Sequence, residues 1–325
     1  MGDALWTGTS FISPEYLTDN FYPPDLNNDE EKLEYYASHL SSICISSTYS
    51  ETIPAKMFYD DIQIVPSHFR FMIFAPRDLT HAKNMNHARS VWNKFWMGFD
   101  GRGGYNIFHQ EGKLGCFLLI FPSSFSCSNS NIKKLESYHK LFPSDVRFAF
   151  EFKNGSWWLP ENTEHIHKFF SDKKNLCMVY PYIQNRIIEA DWCGDMPSSK
   201  VNVDPLMTYD TTDFTVFNFY GTLGEYMGSY DDHGYLEKIL EKIKVRFKNG
   251  VKHVFCCFFN TKTSYKYPLP ITTVMGLPLC PELKKLPDYQ PLNLACGLHD
   301  ALRLKSIWNK EQDLDDEGFI KVEFC

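Results

Sequence analysis

Eight short apolar runs recur along the chain, separated by polar or amphipathic stretches. They span residues 4–10, 42–49, 69–75, 115–121, 147–152, 176–180, 214–220 and 252–259. Most of them are apolar at every position rather than at alternate positions. That pattern is typical of strands covered on both faces, as in a parallel sheet. The chain is therefore predicted to contain eight buried strands.

Amphipathic helical patterns fill the gaps between these runs. They cover residues 29–40, 82–95, 131–141, 161–170 and 235–247, and Gly250 follows the last as a stop signal. Strands that alternate with helices predict an α/β fold, here a (β/α)8 TIM-type barrel. The alternative is a doubly wound open sheet, but no G-x-G-x-x-G motif follows the first strand.

Two stretches do not fit the strand–helix repeat. Residues 182–213 form a long polar connection, and the chain after about residue 268 is rich in proline and polar groups. We expect one barrel domain over residues 1–265 and a C-terminal extension over residues 266–325, packed on the outside of the barrel. The extension ends in an acidic cluster, which consists of Asp313, Asp315, Asp316 and Glu317.

Composition narrows the classes of function. The 325 residues are 43% hydrophobic, which is enough for a sizeable core and excludes a mostly disordered chain. The net charge of −7 argues against a globally basic nucleic-acid binder, although it leaves room for a local basic groove. No apolar run approaches the roughly 20 residues that a membrane helix needs, so we expect no membrane span.

The cysteines and histidines bear on compartment and on metals. None of the ten cysteines forms a C-x-x-C pair, and several lie in the apolar runs, where a thiol behaves as a small hydrophobe. With no signal-peptide pattern at the N-terminus, this usage predicts an intracellular, reducing compartment, with the cytoplasm as the expected location. His165 and His167 lie two apart in a helical stretch and so face different ways. We therefore predict no metal and no cofactor.

A series of short motifs resembles, in the same order, those of the YecE-like family. The motifs are GTS at 8–10, ICISSTY at 43–49, TH at 80–81, FPSSF at 121–125, EFKNGSW at 151–157, NFYG at 218–221 and FFNT at 258–261. The resemblance covers about residues 5–262. It implies a TIM-type barrel of unassigned function, in agreement with the strand count. The family's barrel is similar in outline to that of endonuclease IV, an analogy at the level of the fold alone.

The departures from this family concern the positions where a TIM barrel builds its site, the C-terminal ends of the strands. At these family positions the chain has Cys44, Ser46, Phe74, Ile120, Lys153, Asn154, Asn218, Tyr220 and Thr261. The resemblance implies ionisable or amide groups at these positions, most of which are here neutral or apolar. Glu151 and Asn260 match the family. The comparison predicts a divergent member that keeps the scaffold and has a degenerate site.

Two sets of candidate residues follow. If the protein is an enzyme, Glu151, Lys153 and Asn260 would form a reduced catalytic site. Glu151 and Lys153 lie two apart on a strand and share a face, so a buried structural ion pair is the favoured interpretation. The candidates for ligand binding are His81, Asn154, Trp157, Asn218, Tyr220 and Tyr226. The aromatic residues among them could stack bases or sugars, or simply cover the barrel.

Three functions remain open at this point. The favoured hypothesis is a non-catalytic barrel that serves as a structural or interaction subunit, with another protein or a multiprotein assembly as its partner. The second is a hydrolase that acts on a phosphoester or a nucleic acid. A nucleic acid is a possible partner but is less favoured than a protein. The third is a small-ligand-binding barrel. The favoured hypothesis predicts that Phe74, Ile120 and Tyr220 converge near Cys44 and make the mouth of the barrel apolar.

Overall fold

The computed structural model describes residues 4–10, 21–98, 103–182, 213–221, 229–231, 234–260 and 296–311. Within these residues, eight strands form a closed barrel whose strand order follows the chain. All neighbouring pairs are parallel, and the last strand pairs with the first to close the barrel. The predicted (β/α)8 architecture is confirmed, and the open sheet is excluded.

Each predicted apolar run coincides with one strand to within a few residues. The strands are β1 (Ala4–Thr9), β2 (Ser42–Ile45), β3 (Arg70–Phe74), β4 (Leu114–Phe121), β5 (Phe148–Phe152), β6 (Leu176–Tyr182), β7 (Phe214–Phe219) and β8 (His253–Phe258). The largest difference is at β2, because Ser47–Tyr49 form a 3-10 turn rather than strand. Thr48 stabilises this turn by donating from Oγ1 to the carbonyl oxygens of Ile45 and Phe74, at 3.1 and 2.6 Å.

Helices lie between the strands. They are α1 (Asp29–His39), α2 (Tyr59–Ile64), α3 (Arg77–Thr80), α4 (Met85–Met97), α5 (Asn106–Gln110), α6 (Asn129–His139), α7 (Thr163–Phe170), α8 (Tyr235–Lys248) and α9 (Cys296–Glu311). The five amphipathic patterns correspond to α1, α4, α6, α7 and α8. Asn28, Asn84 and Ser128 cap α1, α4 and α6, because each side chain accepts a backbone N–H from the first turn.

The contact between β1 and β2 depends on a glycine. A Cβ atom at Gly8 would lie 1.8 Å from the carbonyl oxygen of Ser42, so no other residue fits without moving a strand. Tyr36 of α1 fixes the same contact from outside. Its hydroxyl donates to the Ser42 carbonyl at 3.0 Å and accepts the Thr9 backbone N–H at 2.8 Å.

Alternation along each strand divides the core into two layers. On β5, Phe148, Phe150 and Phe152 pack between the sheet and the helices, while Ala149 and Glu151 point into the barrel. The lumen is filled by the apolar side chains of Cys44, Met72, Phe74, Cys116, Leu118, Ala149, Cys177, Val179, Phe214, Val216, Tyr220, Phe255, Cys257 and Phe259. The barrel is therefore packed rather than hollow.

Helix α9 supplies the outer cover of the last part of the barrel, against β1, β8 and α8. It begins beside the end of β8, where the Gly297 N–H donates to the Asn260 carbonyl at 2.8 Å. It then runs towards the opposite end, where Lys305 reaches the last carbonyl of α1, that of His39, at 2.9 Å. The helix belongs to the predicted C-terminal extension and lies where the alternation places the eighth helix. None of the described helices has the length and apolar character to cross a membrane.

Candidate functional site

Glu151 is the centre of a polar cluster at the C-terminal end of the barrel. Its side chain is fully buried in the lumen at the end of β5. Lys153 Nζ lies 2.5 Å from its Oε1, and Asn218 Nδ2 donates to its Oε2 at 2.7 Å. The Tyr220 hydroxyl lies 2.8 and 2.7 Å from the two oxygens. Both carboxylate oxygens therefore accept hydrogen bonds.

Strand geometry explains why these four residues meet. Glu151 and Lys153 lie two apart on and just after β5, as do Asn218 and Tyr220 on β7, so each pair shares a face. β6 lies between these strands in the sheet, and the side chains meet across the lumen. Layers built from alternate strands are the usual filling of a (β/α)8 barrel. The predicted Glu151–Lys153 ion pair is present, with Asn218 and Tyr220 added.

Two features of the cluster matter for its chemistry. Lys153 Nζ also lies 4.9 Å from the centre of the Tyr220 ring, close enough for a cation–π contact. Asn218 is fully buried, yet its Oδ1 accepts no hydrogen bond from any residue in the described part of the chain. A buried acceptor of this kind normally receives a hydrogen bond from water or from a ligand.

An aromatic row covers the lumen beside this cluster. Tyr220 stacks on Phe259 with ring centres 5.1 Å apart, and Phe259 stacks on Phe74 at 5.7 Å. The ring of Tyr49 meets Phe74 edge-on at 6.2 Å. Phe74, Tyr220 and Cys44 belong to the lumen cluster, and Ile120 packs against it. The predicted convergence of Phe74, Ile120 and Tyr220 near Cys44 is present, and it adjoins the polar cluster around Glu151.

His81 lies at the rim of this row. Its ring meets that of Tyr49 edge-on at 6.5 Å, and its Nδ1 lies 3.0 Å from the Arg77 carbonyl. Burial is the main cause that lowers the pKa of His81 below its ordinary value. The residue can therefore contact a ligand at the mouth, while its Nδ1 is engaged with α3.

The other predicted ligand-binding residues have structural contacts instead. Asn154 caps a 3-10 turn over Gly155–Trp158, and its Oδ1 accepts from the backbone and side chain of Ser156. Trp157 is buried in the outer layer, stacked on Phe152 at 3.9 Å, and its Nε1 donates to the Phe125 carbonyl. Tyr226 lies outside the described residues. Of the predicted set, Asn218, Tyr220 and His81 lie at the mouth.

Asn260 belongs to a second polar cluster rather than to the contacts around Glu151. Its Nδ2 donates at 2.7 Å to Asp300, a fully buried carboxylate on α9. Asp300 also accepts from the Ser229 hydroxyl at 2.5 Å and from the Tyr230 N–H at 2.9 Å. Burial raises the pKa of Asp300 to about 6. The sequence patterns gave no signal for Asp300, because no family motif and no predicted helix covers it.

The cysteine thiols and possible metal ligands are weaker candidates for catalysis. Burial raises the pKa of the Cys116 and Cys257 thiols, which keeps these lumen side chains protonated. Within the described ranges, no group of three or more histidine, cysteine or acidic side chains is arranged to hold a metal ion.

A cavity of about 650 Å³ opens beside the mouth. Its walls include the segment that follows β2, the start of α3, and α4. Charged side chains of both signs line it, among them Glu51, Lys56, Arg77, Asp78 and Lys94. The sequence did not predict this cavity, because its lining residues come from segments that are far apart along the chain.

Two solved structures of bacterial proteins share the fold. The chain superposes on a DUF72 family protein from Thermotoga maritima with a TM-score of 0.64 and 19% identity, over 94% of this chain and 99% of that one. A DUF72 family protein from Enterococcus faecalis gives a TM-score of 0.64 and 16% identity, over 94% of this chain and 96% of the other. At these identities the likeness establishes the fold alone.

The match to a family sequence profile extends over most of the chain. Among curated proteins, none matches the sequence. The profile of the family described as "Protein of unknown function DUF72" matches residues 6–272. This is the family called YecE-like above, and the match covers β2 to β8 and all but the first two residues of β1. The chain therefore belongs to the DUF72 family.

Proposed function

We propose that the protein is a non-catalytic barrel with a degenerate site, which acts by binding another protein as a structural or interaction subunit. One observation carries the proposal. The Glu151 carboxylate is fully buried, and Lys153, Asn218 and Tyr220 occupy both of its oxygens.

Catalysis at Glu151 would need a different arrangement. A general base needs a free lone pair within reach of the proton that it removes, and a pKa suited to the task. Here the carboxylate faces its own donors, and its nearest cation holds it in an ion pair. In the adjacent aromatic row, Phe74 and Tyr220 stand where the family resemblance implies polar groups, and Phe259 stacks between them. The buried acceptor left over, Asn218 Oδ1, belongs to an amide, which does not transfer protons at neutral pH.

A protein partner is supported by the parts of the chain that exceed a minimal barrel. The stretch at 182–213 and the residues between β8 and α9 add length that the strand–helix repeat does not require. Loops and termini are the usual places where binding contacts arise on a rigid scaffold. The free thiols of Cys44, Cys116, Cys127, Cys177, Cys256 and Cys257 are in keeping with an intracellular partner.

The proposal is tested by measuring the mass in solution of the protein purified gently from its native source, together with its hydrolysis of bis(4-nitrophenyl) phosphate. We expect a complex heavier than the monomer, and a hydrolysis rate that Glu151→Gln leaves unchanged. Glu136→Gln, a half-exposed carboxylate on α6, is the matched control. A free monomer whose measurable hydrolase activity is abolished by Glu151→Gln, but not by the control, would instead support a reduced-site enzyme.

The cavity beside the mouth favours a small-ligand-binding barrel as the second candidate. Val91 of α4 lines this cavity, whereas Met97 on the same helix is exposed. Native mass spectrometry of the purified protein would detect a bound small molecule as added mass. If this candidate is right, Val91→Trp removes the added mass and Met97→Trp keeps it. The absence of added mass, or its survival in Val91→Trp, argues against this candidate.

A further inference from the structure

The floor of the barrel, at the N-terminal ends of the strands, carries basic side chains that point inward. Arg70 begins β3, Arg147 precedes β5, and His253 begins β8. Each lies two residues before a lumen side chain, namely Met72, Ala149 and Phe255. Residues two apart on a strand share a face, so all three close the lumen from below. None of the functional hypotheses uses this end of the barrel.

Arg147 lacks the partners that a half-buried guanidinium normally has. It lies 5.9 Å from the ring centre of Phe214, and no acceptor among the described residues hydrogen-bonds its side chain. Arg70 differs, because it donates at 2.8 Å to the carbonyls of Ser67 and Phe69. The Nδ1 of His253 is also buried without a hydrogen-bond partner in the described parts of the chain.

Arg147 has a cation, Arg70, and a carboxylate, Asp213, in its surroundings. Burial, together with Arg70 and Arg147, lowers the pKa of His253 to about 4. Burial and the nearby Arg147 also lower the pKa of Arg70. The neighbouring carboxylate, Asp213, lies 3.7 Å from Lys252 and is therefore shared with a further cation. Arg70 and Arg147 thus place two like charges near each other at this end of the barrel.

We propose that the floor of the barrel binds an oxyanion, a phosphate or carboxylate group, held by the fork of Arg147 beside Arg70. The guanidinium presents planar paired donors that match such groups in two-point contacts. A desolvated cation without an acceptor is costly, so an anion at this place relieves both the missing hydrogen bonds and the repulsion between the arginines.

The oxyanion has two possible sources, a free phosphate compound or the chain's own acidic cluster at residues 313–317. Helix α9 runs towards the floor, since Lys305 contacts His39 and also lies near enough to His68 to lower its pKa, in addition to the effect of burial. The last residue of α9 is Glu311, and four acidic residues follow within six positions. Six residues span at most about 20 Å, which is within reach of the floor of a barrel.

The test titrates inorganic phosphate into the full-length protein at pH 7 and constant ionic strength, with chloride as the compensating anion. Binding is read by calorimetry and by the melting midpoint. Five proteins are compared: the natural chain, Arg147→Gln, Arg147→Lys, the tail variant D313N/D315N/D316N/E317Q, and Lys133→Gln as a control at an exposed position on α6. Arg147→Lys keeps the charge and removes the planar fork.

Phosphate that binds the natural chain and the tail variant equally identifies a free oxyanion as the source. Phosphate that binds the tail variant at least tenfold more tightly than the natural chain identifies the acidic tail. In both cases Lys133→Gln behaves like the natural chain, and Arg147→Lys weakens binding at least tenfold. The proposal is overturned if phosphate binds neither the natural chain nor the tail variant, a result that does not depend on whether Arg147→Gln folds. Unchanged affinity in Arg147→Gln or Arg147→Lys overturns it as well.

Discussion

Two carboxylates, Glu151 and Asp300, are fully buried towards the same end of the barrel, yet they are held in different ways. Glu151 has a cation in contact, Lys153, and its network lies within the ends of β5 and β7. Asp300 accepts its hydrogen bonds from neutral donors on two separate segments, and none of the described cations hydrogen-bonds to it. Glu151 and Lys153 neutralise each other in the centre of the barrel, whereas Asp300 attaches α9 to the barrel.

Removing the cation from the Glu151 cluster should have the largest effect. Lys153→Met leaves a buried carboxylate without its counter-ion, which typically costs about 3–5 kcal/mol of the free energy of unfolding. Urea denaturation monitored by tryptophan fluorescence measures this loss. The double variant Glu151→Gln/Lys153→Met should recover most of it, because the charge is gone and Asn218 can turn its unpaired Oδ1 towards the new amide. A loss below about 1 kcal/mol in Lys153→Met would show that the pair is solvated.

Removing the other carboxylate should have a somewhat smaller effect. Asp300→Ala leaves Ser229, the Tyr230 N–H and Asn260 without their acceptor, and buried donors without partners cost about 1–3 kcal/mol each. Partial relaxation should keep the total loss near 2–4 kcal/mol. Protection of the α9 amides against hydrogen exchange should fall more than that of β5. Equal losses of protection in both elements would contradict the assignment of Asp300 to α9.

Asp300 should also make the stability of the protein depend on pH. Burial raises the pKa of Asp300 from its ordinary value of 3.8 to about 6. The folded protein therefore holds this proton more tightly than the unfolded chain, so stability falls as pH rises from about 4 to about 6. The difference in unfolding free energy between the natural chain and Asp300→Asn should shrink by on the order of 2–3 kcal/mol over this interval. A difference that stays constant with pH would contradict the raised pKa.

The sequence predicted the parts of the molecule that depend on local periodicity. The eight strands follow from continuous apolar runs, and the ion pair at Glu151 follows from the two-residue period of a strand. The placement of Phe74 and Tyr220 at the mouth followed from the family resemblance, which puts both at site positions on strand ends. The strands and the ion pair need only the position of a residue within its own strand and the closure of the barrel.

The side-chain positions that the sequence did not predict depend on contacts between segments far apart in the chain. Asn260 matches a family motif beside the end of β8, but its side chain turns to Asp300 on α9, about 40 residues later. Trp157 and Asn154 lie in a motif as well, and tertiary packing places them in the outer layer and in a turn. A motif shows which residues lie near a strand end and does not show which way their side chains point.

The smallest expected effect is a coupling energy that shows which carboxylate cluster Asn260 belongs to. If Asn260 belongs to the Asp300 network, a double-mutant cycle between Asn260→Ala and Asp300→Ala should give a coupling of about 1 kcal/mol, as for residues in direct contact. The same cycle between Asn260→Ala and Lys153→Met should give less than about 0.5 kcal/mol, since Lys153 contacts Glu151 whereas Asn260 contacts Asp300. Urea denaturation of the single and double variants measures both couplings. A larger coupling to Lys153 than to Asp300 would return Asn260 to a common site with Glu151 and revive the reduced-site enzyme. The expected order of the two couplings instead places Asn260 in the network that attaches α9, apart from the Glu151–Lys153 pair. It also removes Asn260 from the set of catalytic candidates.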